Sequence, residues 1–253
     1  MGRRVRRGAA ALVAVAGLGG CGAGTVTVAF SPQAGDVHRY RYEISGSVEQ
    51  ELDGADPVVN RLSVDLDVDE EILRTGEDGT VTARLRVRRD GAPAETVEVH
   101  LDGSGGLAGI DLGAGTATPA ELGVLDEVLS IPALPTGPVA PGQRWRLESA
   151  GIDGEGRLRR LGVIDGRDVA VVDTTARHGL DEDLTSAGSA VHLAGTIRAT
   201  SRGAYDMADG ALRRATTTAR GSVDLVVNPP AGVTATPVTG TITYDVRVEV
   251  VRR

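Results

Sequence analysis

The sequence predicts a mainly β fold of the α+β kind: one large curved antiparallel sheet, or an incomplete β-barrel, of about ten or eleven strands with one short covering helix. Three observations carry that expectation. Apolar residues recur at every second position along most of the chain, turn-forming clusters separate those runs, and helical spacing occurs at one place. Of the 253 residues, 41% are hydrophobic and 25% charged, which is ordinary for a folded body and inconsistent with wholesale disorder.

The first clear run is His38 to Leu52, where Tyr40, Tyr42, Ile44 and Val48 alternate with Arg39, Arg41, Glu43, Glu49 and Glu51. Leu62, Val64, Leu66 and Val68 then alternate with Ser63, Asp65, Asp67 and Asp69. After the turn signal Glu77-Asp78-Gly79, Val81, Ala83, Leu85 and Val87 alternate with Thr82, Arg84, Arg86 and Arg88. Asp90-Gly91-Ala92-Pro93 leads into Val97, Val99 and Leu101, which alternate with Glu98 and His100. Such runs form antiparallel hairpins with one buried and one wet face. The outer faces agree: an acidic row on the second run neighbours a basic row on the third, and opposite charges on adjacent strands stabilise by roughly 0.2–1 kcal/mol per pair. Register stays open, because a shift of two residues preserves both faces.

A glycine-rich loop is expected over 103–115. Thr118-Pro119-Ala120-Glu121 has capping-box form, and Leu122, Leu125, Val128 and Leu129 follow at helical spacing before Pro132. A helix over 119–130 is expected to plug the open side of the sheet, or to act as a lid whose four apolar side chains line a lipid-sized cavity. The second half of the sheet is expected to start near residue 142. In it Val191, Leu193, Ile197, Ala199 and Tyr205 share a face against His192, Thr196, Arg198 and Arg202. Met207-Ala208-Asp209-Gly210 turns the chain into a strand ended by Asn228-Pro229-Pro230. Ile242, Tyr244, Val246, Val248 and Val250 close the pattern.

The first residues speak of address rather than chemistry. Arg3, Arg4, Arg6 and Arg7 precede an apolar stretch, Ala9 to Leu18, too short for a membrane span, which needs ~20 residues. Leu18-Gly19-Gly20-Cys21 follows and resembles the lipobox of bacterial lipoproteins. That resemblance implies a thioether-linked diacylglycerol on Cys21, cleavage between Gly20 and Cys21, and acylation of the new amino terminus. The expected organisation is a leader over 1–20, an acylated cysteine and tether over 21–24, and a single β domain over 25–253, opening with the strand-like run Thr25-Val26-Thr27-Val28. General secretion is preferred, since the residues after Arg3-Arg4 do not follow the twin-arginine motif. Two or three acyl chains hold a protein stably where one holds it marginally. All 27 basic residues are arginine, and losing the leader leaves 23 of them against 35 acidic residues, a net charge of −12. The field of such a body does not favour anionic lipid or nucleic acid, so the expected membrane partnership runs through Cys21. Cys21 is the one cysteine, which excludes an intrachain disulfide and a multi-thiolate zinc site.

The middle of the chain carries Leu134-Pro135-Thr136-Gly137-Pro138-Val139 and Pro141-Gly142-Gln143-Arg144-Trp145. These resemble the "LP…PV..G..W" signature of a family of uncharacterised bacterial lipoproteins. Gly35-Asp36-Val37-His38-Arg39-Tyr40-Arg41-Tyr42 matches that family's "GD.Y.Y" strand, and Gly203-Ala204-Tyr205-Asp206 with Gly210 matches its "G…YD…G" hairpin. Gln143 departs from the acidic residue more usual there. The resemblance implies architectural roles for the glycine and tryptophan positions and brings no activity with it. At the level of fold, the pattern is also similar to lipoprotein carriers of the LolA and LppX/LprG type, in which an open antiparallel half-barrel holds acyl chains. Fold analogy does not establish function.

No constellation for catalysis stands out. His38, His100, His178 and His192 are scattered over four segments without metal-ligand spacing, and Asp65-Leu66-Asp67-Val68-Asp69 lacks the glycine of a calcium loop. Asp181-Glu182-Asp183 reads as a solvated loop, with weak calcium binding as the alternative. Gly103-Ser104-Gly105-Gly106 is not followed by the lysine of a phosphate loop, and Ser104 and Ser130 lack a nucleophile elbow. The expectation is an extracytoplasmic, lipid-anchored protein without enzyme activity, metal or cofactor, binding or carrying a hydrophobic ligand. The alternative is an envelope scaffold or interaction module with a filled core.

Overall fold

The structure, a computed structural model, describes residues 24–103, 105–111, 134–149, 152–186, 189–230 and 235–253. Eleven strands form one unclosed sheet: β1 (Val37–Leu52), β2 (Val58–Thr75), β3 (Val81–Arg89), β4 (Glu95–Leu101), β5 (Leu107–Asp111), β6 (Arg144–Ser149), β7 (Ile152–Ile164), β8 (Arg167–Ser186), β9 (Ser189–Asp206), β10 (Leu212–Asn228) and β11 (Val238–Arg252). Their order is β5-β4-β3-β2-β1-β11-β10-β9-β8-β7-β6. Neighbouring strands are antiparallel throughout. The chain meanders to one edge, crosses to the other between β5 and β6, and meanders back until β11 pairs with β1 in the middle. Among the described residues there is no helix. The expected helix over 119–130 lies outside them, as do its four apolar residues Leu122, Leu125, Val128 and Leu129, the expected leader over 1–20, with Gly20, and Cys21.

Register puts the predicted apolar positions on one continuous face. Tyr42 stands opposite Leu66 of β2 and Val250 of β11, and Ile44 opposite Val64 and Val248. Val246 faces Ala219, which faces Ala199, which faces Ala176. Tyr40, Tyr42, Ile44, Leu66, Val68, Ala215, Val246, Val248 and Val250 form the central core cluster. A second cluster gathers Leu134, Val139, Leu158, Ala170 and Val172 on the β7–β8 side, and a third gathers Ile72, Val81, Ala83, Val97, Val99 and Leu101 on the β2–β4 side.

Over β1 to β3 the opposite face is a charge ladder, while over β7 to β9 it holds a small fourth cluster of Val169, Val171 and Ala204. The acidic row of β2 lies between two basic rows: Arg41 reaches Asp65 at 2.9 Å, Arg88 reaches Asp69 at 2.8 Å, and Arg84 reaches Glu71 at 3.2 Å. These pairs are exposed, so each is worth about 0–1 kcal/mol and favours the correct strand order more than it adds stability.

Three expectations need correction. Thr25–Val28 is not a strand of the sheet: Val26 makes one isolated bridge, to Val139, and the segment continues as a strap along one end of the sheet. Its single-sided partners follow from Val28 being drawn into the second cluster, where it is 1% exposed. Residues 103–115 are not a continuous loop, because β5 occupies Leu107–Asp111 and supplies the edge partner that β4 would otherwise lack. Asp181-Glu182-Asp183 lies within β8, whose pairing with β9 runs on to Ser186. In this region the extended backbone bonds of the two strands prevail over a locally acidic composition.

The strap ties several turns together. Ser31 donates its N–H to the Asp209 carbonyl in the β9–β10 turn, and Gly35 donates to Ile72 on β2. Gly210 is required beside it, since a side chain there would collide with the Ala29 carbonyl. Val28 joins the second cluster, and Phe30 packs against the second and third clusters and against Gly105 in the β4–β5 turn.

Candidate functional site

The apolar face of the sheet is the candidate binding surface, and its two ends differ in chemistry. At the strap end it is capped by a buried polar knot. His38, 2% exposed, is in phase with Tyr40 and Tyr42 and therefore points inward. Its Nδ1 lies 2.8 Å from Glu70 Oε2, and its Nε2 is 3.9 Å from Asp209 Oδ2. Arg252 Nη1 approaches the same Asp209 oxygen at 3.7 Å, and the Tyr40 hydroxyl donates to Glu70 at 3.4 Å. Burial, followed by the charge of Glu70, pushes the Tyr40 hydroxyl well above the ordinary tyrosine range, so it stays a donor. Beside the knot, Asp206 accepts from the Ala208 N–H and from Arg213 Nη2 at 2.8 Å. Burial opposes the charge on Asp206, but these two donors outweigh it and hold the carboxyl below its usual value. The arrangement holds the β9–β10 turn, and through Asp209 the strap, against β1, β2 and β11.

Midway along the strands the apolar face carries a polar row. Trp145, Gly156, Thr174, Ser201 and Thr217 stand opposite one another across β6 to β10. The Thr217 hydroxyl donates to Ser201 Oγ at 2.9 Å, and Thr174 is buried. The Trp145 indole lies over Gly156, where a Cβ would fall inside the ring. Its Nε1 is buried without a hydrogen-bond partner. An orphan donor of this kind costs about 1–3 kcal/mol unless an acceptor reaches it.

Beyond the row, away from the strap, the face is mainly aliphatic but also carries polar positions: Asn60 stands opposite Val48, Gln50 opposite Val58 and Ile242, and His178 opposite Ile197. Val48, Leu62, Leu193, Ile242 and Tyr244 are half-buried there, and Val58 and Val238 at its far rim are exposed. Small residues line the middle: Ala199, Ala219, Gly195 and Gly221.

The remaining histidines are spread out. His100 Nδ1 lies 3.3 Å from the Thr82 hydroxyl, and His192 sits on the outer face with Asp183 at 3.0 Å and Asp181 at 3.8 Å. His178 stands opposite Ile197. Among the described residues, no three His, Cys, Asp or Glu side chains are placed to hold a metal ion. A groove of about 470 Å³ on the outer face is lined by Arg39, Asp69, Glu71 and Arg84, whose charges pair with one another.

Sequence reasoning missed the polar knot. Its signal was the phase of His38, which puts the ring on the tyrosine face, but nothing local announces that Asp209 and Arg252 converge there.

No family model matches the chain. No curated protein matches it either.

Proposed function

We propose that this protein is an extracytoplasmic lipoprotein, held to the membrane through acylated Cys21, that carries a hydrophobic ligand such as lipid acyl chains in an open half-barrel. The observation that carries the reading is the apolar face, which continues past the three core clusters to an exposed rim at Val58 and Val238. Aliphatic surface left over beyond a core calls for an occupant, although Gln50 and Asn60 share this rim. Water wets such surface at a cost of about 25 cal/mol per Å².

Curvature is supported by the strap. Strands β2 and β8 are five positions apart in the sheet, about 24 Å if it were flat. Yet Val28 and Phe30, two residues apart, pack against clusters on those two sides, which favours a sheet curled around the strap. The polar row is compatible with the same reading: Thr174 and Ser201 place hydroxyls on that face, farther along the row from Trp145. For the anchor, the support is the lipobox-like Leu18-Gly19-Gly20-Cys21.

Native mass spectrometry of residues 22–253, produced without the leader, tests carriage. Co-purifying lipid is the expected result. A clean protein mass in repeated preparations overturns carriage and favours an envelope scaffold. The anchor is tested separately: Cys21→Ser in the full chain should move the protein out of the membrane fraction after a carbonate wash, and retention there overturns it.

A further inference from the structure

The hairpin joining β7 to β8 has a tip of unusual composition. Leu161 and Val163, alternate residues on β7, are 39% and 66% exposed, and Arg157, Arg159, Arg160 and Arg167 around them are exposed. β6 pairs with β7 only as far as Arg157, so the apolar pair lies beyond the last strand of the sheet. The tip turns on Asp165-Gly166, with Asp165 at φ 50° and Gly166 at φ 74°, the two left-handed residues of a tight hairpin.

The tip lies at the end of the sheet from which the tether leaves. Val26 and Val139 exchange backbone hydrogen bonds, and nearby Gly142 donates to Leu158 on β7. Leu161 and Val163 lie three and five residues farther along β7, about 10 and 17 Å at the rise of a strand. The turn itself borders the strap: Asp168 accepts from Met207, and two residues on Asp209 accepts from Ser31. Val26 is five residue steps from Cys21, a reach of at most about 18 Å.

We infer that the β7–β8 tip is a membrane-docking face, with Leu161 and Val163 entering the boundary between headgroups and acyl chains and Arg160 and Arg167 meeting lipid phosphates. This rests on the reading of Cys21 as the lipid anchor. Apolar side chains flanked by four arginines have the chemistry of an interfacial anchor, and the arginines outnumber the two acidic residues of the tip, Asp165 in the turn and Asp168 opposite Val163. The mature body as a whole carries −12, so its field does not bring it to an anionic surface. The short tether does, by keeping the tip within reach of the bilayer, where weak contacts count as intramolecular ones. Docked this way, the far rim at Val58 and Val238 points away from the membrane, because β1 ends and β11 begins there, at the opposite end of the sheet.

The test uses the acylated full-length protein in phosphatidylglycerol–phosphatidylethanolamine vesicles, with Val163→Cys or Val238→Cys carrying a polarity-sensitive fluorophore. Acylation leaves each engineered thiol as the one reactive site. A nitroxide placed high on a lipid acyl chain should quench the label at 163 several-fold and leave the label at 238 unchanged. Equal quenching at the two positions, or none at 163 on protein that floats with the vesicles, overturns the docking face. A label at 163 that is shielded from water yet unquenched places another protein chain on the tip and overturns it as well. Protein that fails to float, or whose Cys21 thiol titrates, overturns the anchor first and the docking face with it.

Discussion

Phe30 is where one side chain touches two sides of the sheet, and its removal should be felt throughout the fold. The ring is half-buried against Gly105 and against the second and third clusters. Phe→Ala at a fully buried site costs about 3–5 kcal/mol, and partial exposure brings the expectation for Phe30→Ala to roughly 2–3 kcal/mol. With an m-value of about 2–3 kcal/mol/M for a chain of this size in urea, the midpoint should fall by roughly 1 M. Phe30→Leu, which keeps most of the apolar volume, should lose less than half of that. The assay is equilibrium urea unfolding of residues 22–253, followed by far-ultraviolet circular dichroism and by Trp145 emission. Both probes should report one coincident transition, because the strap joins clusters that would otherwise unfold with less coupling. A loss for Phe30→Ala within about 0.5 kcal/mol, the range of an ordinary surface substitution, would refute the argument that the strap bridges two sides of the sheet.

Two further outcomes follow from the site itself. Gly156→Ala forces a methyl group into the Trp145 ring and should cost about 1–3 kcal/mol, the usual range for overpacking. Trp145 is the sole tryptophan, so its emission should shift as the ring is displaced, and an unchanged spectrum and midpoint would count against the stacked geometry. Asp206 gives a dependence on pH. Its native carboxyl titrates below the ordinary value of about 3.9, so the stability it contributes is complete above that value and is lost as pH falls through the native one. Asp206→Asn should therefore lower stability by about 1.5–3 kcal/mol at neutral pH, the worth of hydrogen bonds to a charged group, and should flatten the decline below pH ~4. An equally steep acid decline in the variant would assign it to other carboxylates, with Asp173 the first to examine, because Arg202 and Arg159 outweigh its burial and hold it low too.

Much of the sheet is legible in the chain because the signal is local. Tyr40, Tyr42 and Ile44 fall in phase, as do Val246, Val248 and Val250, and period-two alternation needs no knowledge of the partner strand. The β6–β8 region was harder to read. Gly154, Gly156 and Gly162 interrupt β7, and a bulge between Leu158 and Arg160 breaks its phase. β5 was hidden in glycine-rich sequence because an edge strand of five residues has little room to show alternation. Asp181 and Asp183 look like loop residues in isolation, yet pairing with β9 holds them in a strand.

Composition and pattern alone determined the antiparallel class and the inward face of most strands, and they carry the lipobox-like run Leu18-Gly19-Gly20-Cys21, since each depends on residues close together in the chain. Tertiary structure decided that β11 lies beside β1, that β2's acidic row finds arginines on both sides, and that a segment resembling a strand serves as a strap. It also decided that His38, Glu70, Asp209 and Arg252 meet, although they are as much as 214 positions apart in the 253-residue chain. The reason is that a two-residue alternation states which way a side chain points and nothing about what it will meet. Partners are chosen when the whole sheet buries its apolar face at once.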